Sequence, residues 1–417
     1  MKILILGGTV FLGRAIASQA LAGGHGVTLF NRGVSAPDAF SPQDPANRNL
    51  TLVTGDRLKP ETMEALLEET WDAVVDTCGV TTEMVANTEA LIQCQLERSP
   101  HFRYVYISTI AVYEDFGIPG ITESDTLRSA PRAVEIVDEK SGDGTPTVIT
   151  KNPATDANSG GMYGTERANC ERALEGLFEG HPANLIILRP SLLVGPEDPT
   201  DRLLYWVRLL TQPGRAIVPN AGQQFLQWVD VRDLAAWILV LLDRAPTETE
   251  TVYFPRVFNV GHPEKELTLG AVWRTCLGMV SDPATLVPMD EIFLLESNVK
   301  PWLELPFWVP SFEKTMRGFI RMDTRKAERA GLVLRPISET LWDVFDWDKA
   351  RVETASSEGT EAVDLKAGLR GDRQEMLLKA WAETGKRISP ERAIAPVPQE
   401  PQPTQSQLDT WLIEGDD

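Results

Sequence analysis

With 417 residues and 40 Lys plus Arg against 60 Asp plus Glu, the chain has a formal net charge of -20, which repels phosphate backbones and argues against nucleic acid as a partner except at a local basic patch. Its four cysteines, Cys78, Cys94, Cys170 and Cys276, lack the paired spacing of a metal site or a disulfide framework, so free thiols in a reducing, cytoplasmic compartment are expected and a metal is not. The apolar start at Ile3 is too short for a signal segment and no run reaches membrane-spanning length, which excludes a membrane partner.

The first element is an unbroken apolar run, Ile3 to Leu6, followed by Gly7-Gly8-Thr9-Val10 and a helical pattern from Phe11 to Ala22. Strand, tight turn and helix in that order make half of a dinucleotide-binding unit. Gly7 allows a turn that a side chain would block, Gly13 lets the helix pack closely on the strand, and the helix N-terminus faces a pyrophosphate. Gly7, Gly8, Thr9, Phe11, Leu12 and Gly13 are therefore the first cofactor-binding residues. A second strand, Val27 to Phe30, leads to Asn31-Arg32, at about the spacing where such folds read the adenine ribose. An acidic residue there suits a ribose hydroxyl, whereas Asn31 and Arg32 suit a 2'-phosphate, so NADP is expected, with NAD as the alternative.

Leu50 to Val53 is expected as a third strand ending at Asp56-Arg57, with a helix over Leu58 to Glu69, and Ala73 to Val75 as a fourth. Asp56 and Arg57 lie where a strand delivers cofactor contacts; Asp56 and Asp76 are equally suited to capping the helices that follow. Tyr104 to Ile107, the fifth strand, brings Ser108 and Thr109 to the same edge. The stretch from 114 to 160, rich in Gly, Pro, Ser, Thr and Asp, is too long for an ordinary connection and is expected to be an insertion or flap. Tyr163-Gly164-Thr165-Glu166-Arg167 follows it. Four positions apart on a helix, Tyr163 and Arg167 share a face, which would bring the guanidinium toward the phenol oxygen. A phenolate poised near neutrality needs about 4 kcal/mol of differential stabilisation, roughly what one close positive charge supplies at intermediate dielectric. Ser108 or Thr109 would then hold a substrate oxygen during proton transfer. Tyr163, Thr109, Ser108 and Arg167 are the candidate catalytic residues; the alternative is an ordinary surface tyrosine and arginine.

A sixth strand, Leu185 to Leu188, runs into Arg189-Pro190. Beyond it, helix Asp201 to Leu210, strand Phe225 to Val229, an apolar helix through Leu242 capped by Asp230, and a strand Val257 to Val260 returning to the sheet are expected. Helix Thr268 to Val280, strand Thr285 to Val287 and helices Arg335 to Trp347 and Asp372 to Glu383 complete the series. Clustered Trp302, Phe307 and Trp308 are suited to a substrate pocket, although aromatics in a small domain more often form its core. The fold class is α/β: a Rossmann-like doubly wound parallel sheet with a smaller C-terminal α+β substrate domain and a disordered tail. The expected boundaries are 1–195 for the dinucleotide domain, with 225–261 returning to it; 196–224 and 262–350 for the substrate domain; 351–388 for a helical extension; and 389–417 for a proline-rich tail. Trp411-Leu412-Ile413 in that tail is either a docking motif or simply exposed.

Gly7-Gly8-Thr9-x-Phe11-Leu12-Gly13, Ser108-Thr109-x-x-Val112-Tyr113, Tyr163-Gly164-x-x-Arg167, Arg189-Pro190 and Val194-Gly195-Pro196 together resemble the extended short-chain dehydrogenase/reductase superfamily, in its bacterial NAD-dependent epimerase/dehydratase and reductase-like branch, over residues 1 to 350. The resemblance implies Tyr163 as general acid/base, Thr109 with Ser108 fixing the substrate oxygen, Arg167 in place of the lysine that binds the nicotinamide ribose, and Arg189 among the cofactor-binding residues. It implies hydride transfer at a hydroxyl or carbonyl carbon of a small-molecule substrate, and by family habit a homodimer. Val10 where a middle glycine is usual, arginine for lysine at 167, and the long insertion depart from the pattern. Two further readings follow: an NADP-bound regulatory or scaffold protein without turnover, and an RNA-binding relative akin to the chloroplast stem-loop binding proteins.

Overall fold

The computed structural model describes the chain apart from residues 37–38, 42, 130–133, 139–146, 152–158, 244–255, 264–265, 360–363 and 395–417. Its centre is a seven-stranded sheet of β1 (Lys2–Leu6), β2 (Gly26–Asn31), β3 (Leu50–Thr54), β4 (Ala73–Asp76), β5 (Arg103–Ile107), β6 (Leu185–Pro190) and β7 (Arg256–Val260). All neighbours are parallel, in the order β7-β6-β5-β4-β1-β2-β3. Chain direction across the sheet reverses between β1 and β4, and a crevice opens beyond their carboxyl ends.

Apart from the largely exposed edge strand β3, the apolar runs form these strands because both faces of the parallel sheet are covered. Ile3 and Ile5 point into one core, with Ile16 and Ala17 of helix Phe11–Ala22 and Leu234 and Ile238 of helix Val231–Asp243. Leu4 and Leu6 point into the other, with Ile92 of helix Glu89–Arg98 and Leu174 of helix Ser159–Leu177. A third core lies in the layer built by 202–230 and 267–394, where Trp206, Trp228, Trp273, Phe307 and Trp308 are fully buried.

Several elements differ from expectation. The helix expected over Leu58 to Glu69 shrinks to a 3-10 turn, Pro60–Met63, and one α-turn, Glu64–Leu67, because the Thr62 hydroxyl bonds back to the carbonyls of Asp56 and Lys59. Phe225 to Val229 is not one strand: Phe225–Leu226 pairs antiparallel with Leu267–Thr268, and Trp228–Asp230 pairs parallel with Leu192–Val194. Between them Gln227 turns its side chain to the carbonyls of His262 and Met322. Helices Thr82–Ala86 and Glu89–Arg98 and strand Arg215–Pro219, paired with Thr285–Met289, add to the expected set. The helix expected to begin at Arg335 starts at Ile337, after Pro336, and runs to Glu358.

Trp302, Phe307 and Trp308 pack with the third core. Phe307 and Trp308 lie in the third core, and Trp302 stacks edge-on against Phe307 and Phe319. Within the expected 114–160 insertion, Val134–Asp138 and Thr147–Lys151 pair as an antiparallel hairpin; much of the rest lies outside the described residues. At the start of the expected tail, Pro390–Ile394 is a short helix whose Ala393 is buried. A Cβ on Gly222 would fall 1.5 Å from the Ala393 carbonyl oxygen, so only glycine lets that turn dock there. Trp411-Leu412-Ile413 lies outside the described residues.

Candidate cofactor and active site

A cavity of about 410 Å³ opens at the crevice, lined by 7–10 from the glycine turn, 30–35 at the end of β2 and beyond it, 55–57 after β3, and Thr77, Cys78, Val80 and Met84 beyond β4. The turn is possible because Gly7 has φ +105°, and a Cβ on it would lie 2.4 Å from the Thr77 hydroxyl oxygen. Gly13 sits so close that its Cβ would meet the Gly8 Cα at 2.8 Å. Helix Phe11–Ala22 has no side-chain cap and no acidic residue in its first turn, so its leading amides remain open to an anion. Val10, 41 % exposed, lines the cavity where the middle glycine is absent. Leu12 is buried in the sheet core, Phe11 packs against that core, and the Thr9 hydroxyl donates to the Ser35 carbonyl at 2.8 Å.

Asn31 accepts from the Gly33 amide at 2.8 Å, holding the loop that carries exposed Arg32 along the wall. Asp56 accepts from the Leu58 amide at 3.1 Å, as a turn cap does, while lining the cavity. Arg57 is buried: one guanidinium nitrogen donates to Asp76 at 2.6 Å and the other to the Met84 carbonyl at 3.0 Å. Asp76 also accepts from the Tyr104 hydroxyl and the amides of Cys78 and Gly79. Burial pushes the Asp76 carboxyl up, but Arg57 and these donors hold it below the usual carboxylate range. Burial, with Asp76 nearby, pushes the Cys78 thiol up, so it stays protonated on the wall. Arg57 thus builds the wall through Asp76, with both terminal nitrogens donating to protein.

Helix Ser159–Leu177 packs on the 3-10 turn Ile110–Val112 that follows Thr109. A Cβ on Gly164 would lie 2.1 Å from the Ala111 carbonyl oxygen, so glycine beside Tyr163 is what brings that tyrosine's helix against the turn. Tyr163 is 46 % exposed. The Thr109 oxygen accepts from the Ala111 amide at 3.2 Å, leaving its O–H to donate elsewhere. Ser108 is buried and donates to Glu171 instead.

Two expectations change in physical detail. Arg167 does not reach the phenol oxygen of Tyr163; its guanidinium donates to the carbonyls of Gly79, at 2.5 Å, and Ile107, and lies 4.8 Å from the Tyr106 ring centroid and 5.9 Å from that of Tyr163. The Gly79 carbonyl lies beyond β4 and the Ile107 carbonyl at the end of β5, and a buried guanidinium satisfies them in preference to an exposed hydroxyl. Arg189 pairs with buried Glu171 at 2.6 Å and donates to the Tyr113 hydroxyl at 2.9 Å, which in turn donates to Asn259 at 2.6 Å. It ties β6 to helix Ser159–Leu177 and, through Tyr113, to β7, and does not line the cavity. Sequence reasoning missed Glu171, although Tyr163, Arg167 and Glu171 recur every four residues along one helix face.

The sequence profile of the NAD dependent epimerase/dehydratase family matches residues 3–135 and 138–261. The chain belongs to that family. A curated relative, the chloroplast stem-loop binding protein of 41 kDa b from Arabidopsis thaliana, is 28% identical over 286 residues, 66% of this chain and 62% of the relative, so the chain matches less than two thirds of that protein's length. Among solved structures, a UDP-glucose 4-epimerase from Thermotoga maritima aligns with a TM-score of 0.53 at 14% identity, covering 84% of this chain and 99% of the other. A UDP-glucuronic acid 4-epimerase from Bacillus cereus, solved with NAD, gives 0.51 at 15%, covering 84% and 99%. These structural likenesses establish the Rossmann-like fold. Among the described residues no helix is long and apolar enough to cross a membrane.

Proposed function

We propose that the chain is a nicotinamide-dependent oxidoreductase or epimerase that prefers NADP to NAD and works at the hydroxyl or carbonyl carbon of a small molecule, with Tyr163 exchanging the proton. The observation that carries this reading is the cavity itself, where a glycine turn, an uncapped helix N-terminus and the Asn31-Arg32 loop converge. These residues fit a dinucleotide: the open amides suit the pyrophosphate and Arg32 suits a 2'-phosphate. When bound, the nicotinamide supplies hydride transfer. Thr109 has a hydroxyl proton to donate to a substrate oxygen, and half-exposed Tyr163 is accessible to exchange one.

Fluorescence titration of the purified protein with NADPH and with NADH tests the reading. Tighter NADPH binding that shifts toward NADH in Arg32→Ala is the expected result; no binding of either nucleotide would remove it. A second reading, an NADP-bound protein without turnover, draws on the commitment of Arg167 to two carbonyls. It predicts nucleotide binding with no hydride exchange across ketones, imines and sugar nucleotides. The name of the chloroplast relative raises RNA as a ligand, but a net charge of -20 opposes it; a salt-dependent mobility shift with stem-loop RNA is the test.

A further inference from the structure

Arg167 is buried 5.9 Å from the ring centroid of the proposed acid/base, yet its fork serves the cofactor cavity. The Gly79 carbonyl accepts from Arg167 at 2.5 Å and from the Tyr106 hydroxyl at 2.7 Å. The other terminal nitrogen of Arg167 holds the Ile107 carbonyl at the end of β5. Gly79 lies between Cys78 and Val80, both on the cavity wall. From the opposite side Arg57 grips Asp76 and the Met84 carbonyl, so the segment 76–84 is pinned at both ends and at its middle.

From this geometry we infer that Arg167 is a positioning residue for the cofactor cavity: its planar fork bridges the wall beyond β4 to the end of β5, and positive charge alone does not replace it. The inference rests on the reading of that cavity as the nucleotide site. Lysine carries one compact ammonium and no rigid two-armed fork. At position 167 it would leave one of two buried carbonyls without its charged donor, a loss that falls on the wall.

The test compares NADPH affinity of the full chain as wild type, Arg167→Lys and Arg167→Met, each checked for a cooperative thermal transition. Arg167→Lys is expected to bind NADPH about tenfold more weakly, the loss of one hydrogen bond to a charged donor, and Arg167→Met, which loses both, about a hundredfold more weakly. Hydrogen exchange at the amides of 77–81 should rise in both. Tyr106→Phe, which keeps the guanidinium and removes one donor to Gly79, is expected to weaken binding in the same direction by about threefold. Wild-type affinity and exchange in Arg167→Lys would overturn the inference, since charge would then suffice. If wild type itself binds neither NADPH nor NADH, the cofactor reading falls and the inference falls with it.

Discussion

Asp76 shows how much of the site is held by individual buried side chains. It is fully buried and accepts from Arg57, Tyr104 and two amides, and its folded pKa lies below its unfolded value. The stability it contributes is therefore complete above about pH 4 and is lost as pH falls through the folded value. Asp76→Asn would strand buried Arg57 and is expected to cost about 3–5 kcal/mol at neutral pH, while flattening the acid limb. Urea unfolding at neutral and acid pH checks this; an unchanged acid limb in the variant would refute the assignment. Tyr163 makes the opposite case, since it is half-exposed and stands outside the buried core. Tyr163→Phe is expected to abolish turnover with NADPH affinity nearly intact, and wild-type rates in that variant would eliminate the mechanism. The positions of Tyr163, Thr109 and the glycines were legible because each depends on local spacing. The partners of Arg57, Arg167 and Arg189 were not, because each reaches a group at least 18 positions away in the chain.

Among the elements, helix Ser159–Leu177 does most to assemble the candidate active site. It carries Tyr163, Arg167 and Glu171, and it approaches the turn after β5 through Gly164. Gly164→Ala must push the helix away from Ala111 and is expected to cost about 1–3 kcal/mol by overpacking. Turnover should fall more than nucleotide affinity, because the displaced surface is the one between Tyr163 and Thr109. Steady-state kinetics beside a binding titration would show it; equal losses in both would place the damage elsewhere. The strand positions of the sheet were legible to within a residue or two, since all but the exposed edge strand β3 are buried on both faces and appear as apolar runs. The division of Phe225 to Asp230 into two pairings was not, because its partners at 267–268 and 192–194 are remote in sequence.

Over the whole molecule, the excess of acidic residues acts as a diffuse repulsion that the compact state must tolerate. Raising monovalent salt from low to physiological strength is expected to raise the thermal midpoint by screening that repulsion. A midpoint that falls with salt would mean that attractive surface pairs, such as Arg232 with Asp343 and Arg325 with Asp323, outweigh it. The same charge leaves nucleotide binding to local features: open helix amides, the Arg32 loop, and a crevice whose lining is drawn from four strand ends.

The sequence by itself determined the strands, the glycine turn and the place of Tyr163, because these follow from steric exclusion and from periodic burial, which act over a few residues. Only the tertiary structure decided what the arginines do. A guanidinium goes to whichever buried acceptors the fold leaves unsatisfied, and at positions 57, 167 and 189 those acceptors are the Asp76 and Glu171 carboxylates and the carbonyls of Met84, Gly79, Ile107 and Glu123. Three of the four arginines expected to face ligands therefore hold up the walls, and Arg32 alone of the four stays exposed along the cavity.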